Sequence, residues 1–370
     1  MTAPATALHH TPFVLGHAKA RLALSAAIRS GHVHHAWILH GPPGVGKMRT
    51  AEAFARLLLD PDATPACVND FQPPAESDVA HRIDAGTHAD YHVIRKELAA
   101  LSDSRELRER KQLNIPLGLL RERMLGGVDG DGRLHESAVF RTATHGHGKV
   151  FILDEAELLD ADAQNAMLRT LEEPPPGTFI ILVTSREDRL LPTIRSRCQR
   201  VPFGPLDDAT MRAWWQRSGL EVADADRPFI EQFAEGSPGM AQRAVQMGLA
   251  AWNAELSPLF DQLESGDFPA GLGDRLAELV DDLAKGVVDD DEHASKDAAN
   301  RLGTRLLSRW LGLRVRRALA AAGDEVPALE RALATQEVLE QFEQHVRSNV
   351  NLKHAFGNLV AQWGDCTRAA

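Results

Sequence analysis

The run Gly41-Pro42-Pro43-Gly44-Val45-Gly46-Lys47-Met48 has the spacing of a phosphate-binding loop with one residue out of pattern. Such a loop asks for a glycine, four residues, Gly-Lys, and then Ser or Thr. Gly41, Gly44 and Gly46 let successive backbone N–H groups turn toward a phosphate, and Lys47 reaches its outer oxygens. Met48 stands where the hydroxyl that holds Mg²⁺ belongs. The expectation is a loop that binds ATP or ADP weakly, takes Mg²⁺ only together with the nucleotide, and lacks a part normally needed for hydrolysis.

A second group of acids follows an apolar run, at Leu153-Asp154-Glu155-Ala156-Glu157. An acidic residue at a strand end binds Mg²⁺ in phosphate-loop ATPases, which suits Asp154. Glu155 has the type and place to polarise an attacking water as a general base. On its own the group reads as an acid-decorated helix start, favoured by the helix dipole. The glycine loop upstream tips the balance toward ATPase-type chemistry. Thr184 and Ser185 end a further apolar run. Thr184 has two readings there, a sensor of the terminal phosphate or a plain strand-end cap. Arg197 follows in Leu191-Pro192-Thr193-Ile194-Arg195-Ser196-Arg197-Cys198. An arginine on a rigid helix end can cross a subunit interface and stabilise phosphoryl-transfer charge on a neighbour, worth about 10³–10⁵ in rate.

The elements that must position these residues are legible as period and punctuation. His35-Ala36-Trp37-Ile38-Leu39-His40 runs straight into the glycine loop, and Ala51, Phe54, Ala55, Leu57 and Leu58 recur behind it at helical spacing. Tyr91-His92-Val93-Ile94, Lys149-Val150-Phe151-Ile152-Leu153 and Phe179-Ile180-Ile181-Leu182-Val183 read as further strands. Continuous apolar strands alternating with helices predict a parallel α/β sheet covered on both faces. Residues 60–76 and 126–132 read as loops, and the second does not fit a calcium-binding EF-hand. Beyond Phe203 the strand signal stops. Gly204-Pro205-Leu206-Asp207-Asp208 reads as a hinge and helix cap. Leu302, Leu306, Trp310 and Leu313 then share one helical face.

Composition bounds the rest. The chain has 370 residues, 44% hydrophobic and 25% charged, with a net charge of −11. That is a globular mixture and a poor overall match to a polyanion. Any DNA contact is therefore local or made through partners. No run approaches the roughly 20 apolar residues of a membrane span, and residues 1–11 lack the order of a secretory signal, so the expectation is a cytoplasmic protein. Cys67, Cys198 and Cys366 make neither a disulfide framework nor a metal spacing. His32, His34, His35, His145 and His147 have no carboxylate or cysteine set beside them, so no metal site is expected.

Residues 41–47, the strand and acids from Lys149 to Glu157, Leu171-Glu172-Glu173-Pro174-Pro175 and Ser196-Arg197-Cys198 together resemble AAA+ clamp-loader subunits. Arg189-Leu190-Leu191-Pro192-Thr193-Ile194-Arg195 is most similar to the delta-prime type of bacterial DNA polymerase III. Thr87-His88-Ala89-Asp90 resembles the family's His-Pro-Asp, and Asn349-Val350-Asn351 its C-terminal ending. The resemblance is strong over 14–203 and weaker beyond. It implies an AAA+ nucleotide-binding domain over 1–203, a helical lid over 204–248 and an all-helical collar for oligomerisation over 249–370. It implies partners too: clamp-loader delta and gamma/tau subunits, and through the complex the sliding clamp and primed DNA. The subunit would be mostly a stator, with Arg197 presented to a neighbour's ATP.

Three departures sharpen this. Family members often carry a four-cysteine zinc module; only Cys67 remains here, so no zinc is expected. Met48 replaces the magnesium hydroxyl. Motor subunits often carry an arginine after Gly-Ser in the lid, whereas Gly236-Ser237-Pro238-Gly239 puts Gly239 there; Arg243, one turn on, reads as a surface residue. The presence of Lys47, Asp154 and Glu155 argues the other way, for retained nucleotide binding. The rivals are a gamma/tau-type ATPase motor of the same assembly and an ATP-driven DNA remodeller, which would need a basic winged-helix domain that the acidic C-terminal half does not suggest.

Overall fold

The computed structural model describes residues 13–109, 112–290, 294–347 and 351–368. The leader reading of 1–11, Asp291 and Glu292 of the acidic run, and Asn349 and Val350 of the C-terminal motif lie outside them. The chain forms two compact units. The first runs to Gly219 and takes in Gly236–Met240; the second comprises Leu220–Glu235 and Ala241–Ala370.

The first unit is built on a five-stranded parallel sheet: β1 (Ala36–His40), β2 (Tyr91–Ile94), β3 (Lys149–Leu153), β4 (Thr178–Thr184) and β5 (Gln199–Pro202). The spatial order is β2-β3-β4-β1-β5. Register sets His40 beside Thr184, Leu153 beside Leu182, and Trp37 beside Gln199. Side chains alternate across the sheet and so fill two cores. Trp37, Leu39, Val150, Ile152, Ile181 and Val183 face one side, where helix α2 (Lys47–Leu59) adds Ala51, Phe54 and Ala55 behind α1 (Ala18–Arg29). Ile38, Phe151, Leu153, Ile180 and Leu182 face the other, covered by Ala163, Met167 and Leu171 of α3 (Ala161–Glu172). Both faces are buried, which is why the central strands read as unbroken apolar runs.

Two segments expected to be loops carry structure. Thr64 caps a short helix, Pro65–Asp70, inside the 60–76 stretch. The glycine–aspartate run forms a two-stranded ribbon, Gly127–Val128 against Leu134–His135. Asp129 pins that ribbon by accepting from the N–H groups of Asp131 and Arg133 and from His135 Nε2 at 2.7 Å. Asp207 caps helix Asp208–Ser218 by accepting from Thr210 N.

The second unit is helical. Helix Arg227–Ala234 precedes Ala241, α4 (Pro238–Gln246) enters the unit from the first, and α5 (Leu249–Glu264) follows. Then α6 (Leu272–Asp290), α7 (Lys296–Ala322), α8 (Val326–Arg347) and α9 (Leu352–Arg368) pack in a closed circuit, each against the next and α9 against α6. Leu306, Trp310 and Leu313 of the expected apolar face are buried, and Leu302 is half-buried. Phe260 sits edge-on to Trp310 and Trp363 at 5.2 and 5.4 Å. Among the described residues no helix is long and apolar enough to cross a membrane.

Candidate functional site

Parallel strands bring their C-terminal ends to one edge of a sheet, and in this fold class ligands bind there. The glycine loop leaves the end of β1 and turns into α2. Gly41, Gly44 and Gly46 have φ of +144°, +75° and +107°, conformations that favour glycine. A Cβ on Gly41 would lie 2.1 Å from the Phe203 carbonyl oxygen, so no side chain fits there.

Every carbonyl from 41 to 45 accepts a hydrogen bond. Lys47 Nζ donates to Gly41 O (2.7 Å) and Pro42 O (2.6 Å). Ser237 Oγ donates to Pro43 O (3.0 Å), the Gly239 N–H to Gly44 O (2.8 Å), and His17 Nε2 to Val45 O (2.7 Å). The loop's acceptors are thus committed to protein donors, which keeps their negative ends off an incoming phosphate. Lys47 is only 6% exposed. Burial pulls its pKa down to about 8, against the attraction of Glu157 and Asp154. Burial also lowers the pKa of His17, with Arg21 and Lys47 adding to the effect and the bond to Val45 opposing it.

Asp154 follows β3, half-buried, and accepts from the Glu155 N–H at 3.0 Å. Arg95 Nε lies 3.4 Å from its other oxygen. Burial raises the Asp154 pKa, and Arg95 pulls it back. Glu155 adopts a left-handed backbone (φ +50°), is exposed, and pairs with Lys96. That ion pair occupies the carboxylate oxygen that a water would otherwise meet. Thr184 is buried and accepts from the Arg186 N–H at 3.0 Å. Met48 is half-buried and packs against the core between α2 and the sheet.

Arg197 is elsewhere. It follows helix Pro192–Arg195 and lies just before β5, with Cys198 between, so it sits at the N-terminal edge of the sheet, level with the start of β1. The length of β1 separates that edge from the glycine loop, roughly 15 Å at about 3.3 Å per residue. Arg197 donates to Glu172 Oε1 (2.5 Å) and Thr193 O (2.9 Å). The Leu-Glu-Glu-Pro-Pro and Ser-Arg-Cys motifs, far apart in sequence, therefore meet in one ion pair. Beside it, burial pushes the Cys198 thiol up to about 12, which leaves it unreactive.

The fold thus brings Gly41, Gly44, Gly46, Lys47, Asp154, Glu155 and Thr184 to one edge and places Arg197 at the other. Sequence reasoning gave Glu157 of the acidic run no role of its own; Glu157 accepts from Ser185 N (3.1 Å) and opposes the burial of the Lys47 charge more than Asp154 does. That reasoning also missed Ser237 as a partner of the loop and read Gly239 only as a lost arginine. Ser237-Pro238 is a helix-start signal in the sequence, but nothing in it points to Pro43. His88 and Asp90 are buried; Asp90 accepts from the N–H groups of Thr144 and His145, both at 3.0 Å, and so fastens the loop before β3. His34 and His35 bond the Ala36 and Leu171 carbonyls and serve the fold. His88, His145 and His147 line a cavity of about 160 Å³ with Asp62, Asp78 and Arg82. Among the described residues no group of His, Cys, Asp or Glu has metal-binding geometry.

The chain is 33% identical over 232 residues to DNA polymerase III subunit delta' of Pseudomonas aeruginosa, a match covering 62% of this chain and 60% of that one. It is 31% identical over 239 residues to subunit gamma/tau of Mycobacterium bovis, covering 61% of this chain and 34% of that one. The chain thus matches less than two thirds of either relative's length. A gamma-subunit-related protein of Thermotoga maritima superposes with a TM-score of 0.36 at 18% identity, over 94% of this chain and 99% of that one. The family described as DNA polymerase III, delta subunit, matches residues 16–207, just over half of the sequence, and the chain belongs to that family.

Proposed function

We propose that this chain is a delta-prime-type subunit of a DNA polymerase III clamp loader. It works chiefly as a stator that presents Arg197 to the nucleotide of a neighbouring subunit. The carrying observation is the position of Arg197. At the edge opposite Lys47 and Asp154 it cannot serve its own loop, yet Glu172 and Thr193 hold it ready for another. Delta and gamma/tau chains are the partners in this reading, with the clamp and primed DNA reached through the assembly and the helices of 249–370 mediating oligomerisation. Such a complex works in the cytoplasm.

On the chain's own loop, 41–47 would hold the phosphates of ATP or ADP, with Lys47 turning from Gly41 and Pro42 to meet them. Asp154 would face the Mg²⁺ that accompanies the nucleotide. Binding is weak because Lys47 must be released from two carbonyls. Turnover is slow because Met48 offers no hydroxyl and Lys96 neutralises Glu155. Zinc does not fit: Cys67, on the short helix Pro65–Asp70, is the lone thiol of the 60–76 segment and is engaged by Thr64 Oγ1 at 3.2 Å, and a structural zinc site needs four ligands.

The test is reconstitution with candidate delta and gamma/tau chains, carrying wild type or Arg197→Ala. The substitution should leave assembly mass unchanged and lower clamp- and DNA-stimulated ATPase. Equal ATPase in the two complexes would remove the trans role. The presence of Lys47, Asp154 and Glu155 favours the gamma/tau-type reading instead. Fast Mg²⁺-dependent ATPase from the purified chain alone would decide for it.

A further inference from the structure

The segment Gly236–Met240 belongs to the same compact unit as the phosphate loop and meets it backbone to backbone. A Cβ on Gly44 would lie 2.6 Å from Ser237 Oγ and 3.0 Å from Met240 N. A Cβ on Gly239 would lie 2.8 Å from Gly44 Cα and 3.0 Å from Gly44 O. Each glycine is required by the other. The first N–H groups of a helix have no partner within it. Here α4 assigns two of them: the Met240 N–H goes to Ser237 Oγ (3.2 Å), and the Gly239 N–H to Gly44 O (2.8 Å). Ser237 caps the helix and also bonds Pro43 O. On its far side the segment is tied down by the Leu206 N–H on Gly236 O at 2.8 Å.

We propose that Ser237 and Gly239 are positioning residues that close the phosphate loop with protein contacts in place of a nucleotide. The two loop carbonyls they take belong to the apex, the part of such a loop that is free to flex once its ends are fixed by β1 and α2. With both bonded and the backbones interlocked, the loop keeps one shape whether or not a nucleotide is present. The inference rests on the stator reading above, which asks for a subunit whose shape does not follow its own nucleotide.

Hydrogen exchange on the full chain tests it. A peptide covering 237–243, whose Gly239 and Met240 N–H groups are hydrogen-bonded, should be protected without ligand, and millimolar Mg²⁺–ADP should change its exchange by less than about twofold. Gly239→Ala, which inserts a methyl into the interlock, should speed exchange in that peptide by roughly tenfold or more. Ser237→Ala, which only deletes hydrogen bonds, should do so by roughly three- to tenfold. It also carries the test should Gly239→Ala fail to fold. Exchange unchanged in both variants, or slowed tenfold by Mg²⁺–ADP in the wild type, would overturn the proposal. The Arg197→Ala assay is independent of this peptide, so a nucleotide-dependent closure would sink the proposal and leave the trans arginine standing.

Discussion

Lys47 supplies a prediction with two opposite signs. Its pKa falls from 10.5 to about 8 in the folded chain because burial penalises the cation. A lysine depressed in this way binds fewer protons folded than unfolded between pH 8 and 10.5. Stability therefore rises with pH across that window, and the group is a net cost below pH 8. Linkage with these two values gives a gain of about 1.3 kcal/mol between pH 7 and 9. The assay is urea unfolding of the wild type and Lys47→Met at pH 7, 8 and 9, with the difference between them isolating Lys47. Nucleotide affinity should move the other way. Bound phosphates restore the lysine's proton, and at pH 9 only about one free chain in eleven carries it, so affinity for a fluorescent ADP analogue should fall about tenfold from pH 7 to 9. Phosphate ionisation, with its last pKa at about 6, is nearly complete over this range and adds little slope. A wild-type-minus-variant difference that is flat from pH 7 to 9, or an affinity that holds constant, would refute the buried-cation argument.

The other predictions concern single contacts. At the site it serves, Arg197→Ala should cost about 10³–10⁵ in rate, so the assembly's ATPase falls to the share of the remaining sites. Glu172→Gln removes a partly exposed ion pair and should cost that site no more than about fivefold in the same assay. Met48→Thr should make ADP binding Mg²⁺-dependent while lowering stability by about 1 kcal/mol, since a half-buried side chain is trimmed; binding indifferent to Mg²⁺ would argue against the missing-hydroxyl account. In the reconstituted complex, Met48→Thr and Arg197→Ala should be additive within about 0.5 kcal/mol, as expected of sites more than about 10 Å apart. Asp90→Ala strands two N–H groups, at Thr144 and His145, and should destabilise by about 2–3 kcal/mol in chemical unfolding.

How much of this could be read in advance depended on distance along the chain. β1, β3 and β4 announce themselves because both faces of each are buried, and the loop at β1's end and the acids at β3's end follow from their strands. β5 did not, because only Val201 of Gln199-Arg200-Val201-Pro202 is buried and an edge strand needs no apolar run. The loop's shape was hidden for a different reason. His17 reaches Val45 across 28 residues and Ser237 reaches Pro43 across 194, and no local pattern encodes such pairs. The ribbon at 127–135 escaped because Asp129 organises it through three hydrogen bonds, where its composition suggested only turns. Arg197 was legible as a type in a motif. Its edge of the sheet was not, because the pairing of Gln199 with Trp37 that separates it from the glycine loop is long-range.

The polarity of a parallel sheet makes that separation permanent. Strand direction commits the C-terminal edge to whatever the β1 and β3 ends carry, and the N-terminal edge to the residues that lead into β4 and β5. Changes at one edge then leave the geometry of the other intact, because the two share only the strands between them and those are packed on both faces. Met48 and the Lys96–Glu155 pair alter the first edge; the Glu172–Arg197 pair occupies the second. A chain of this architecture can lose a hydrolytic part at one edge and keep, undisturbed, an arginine at the other.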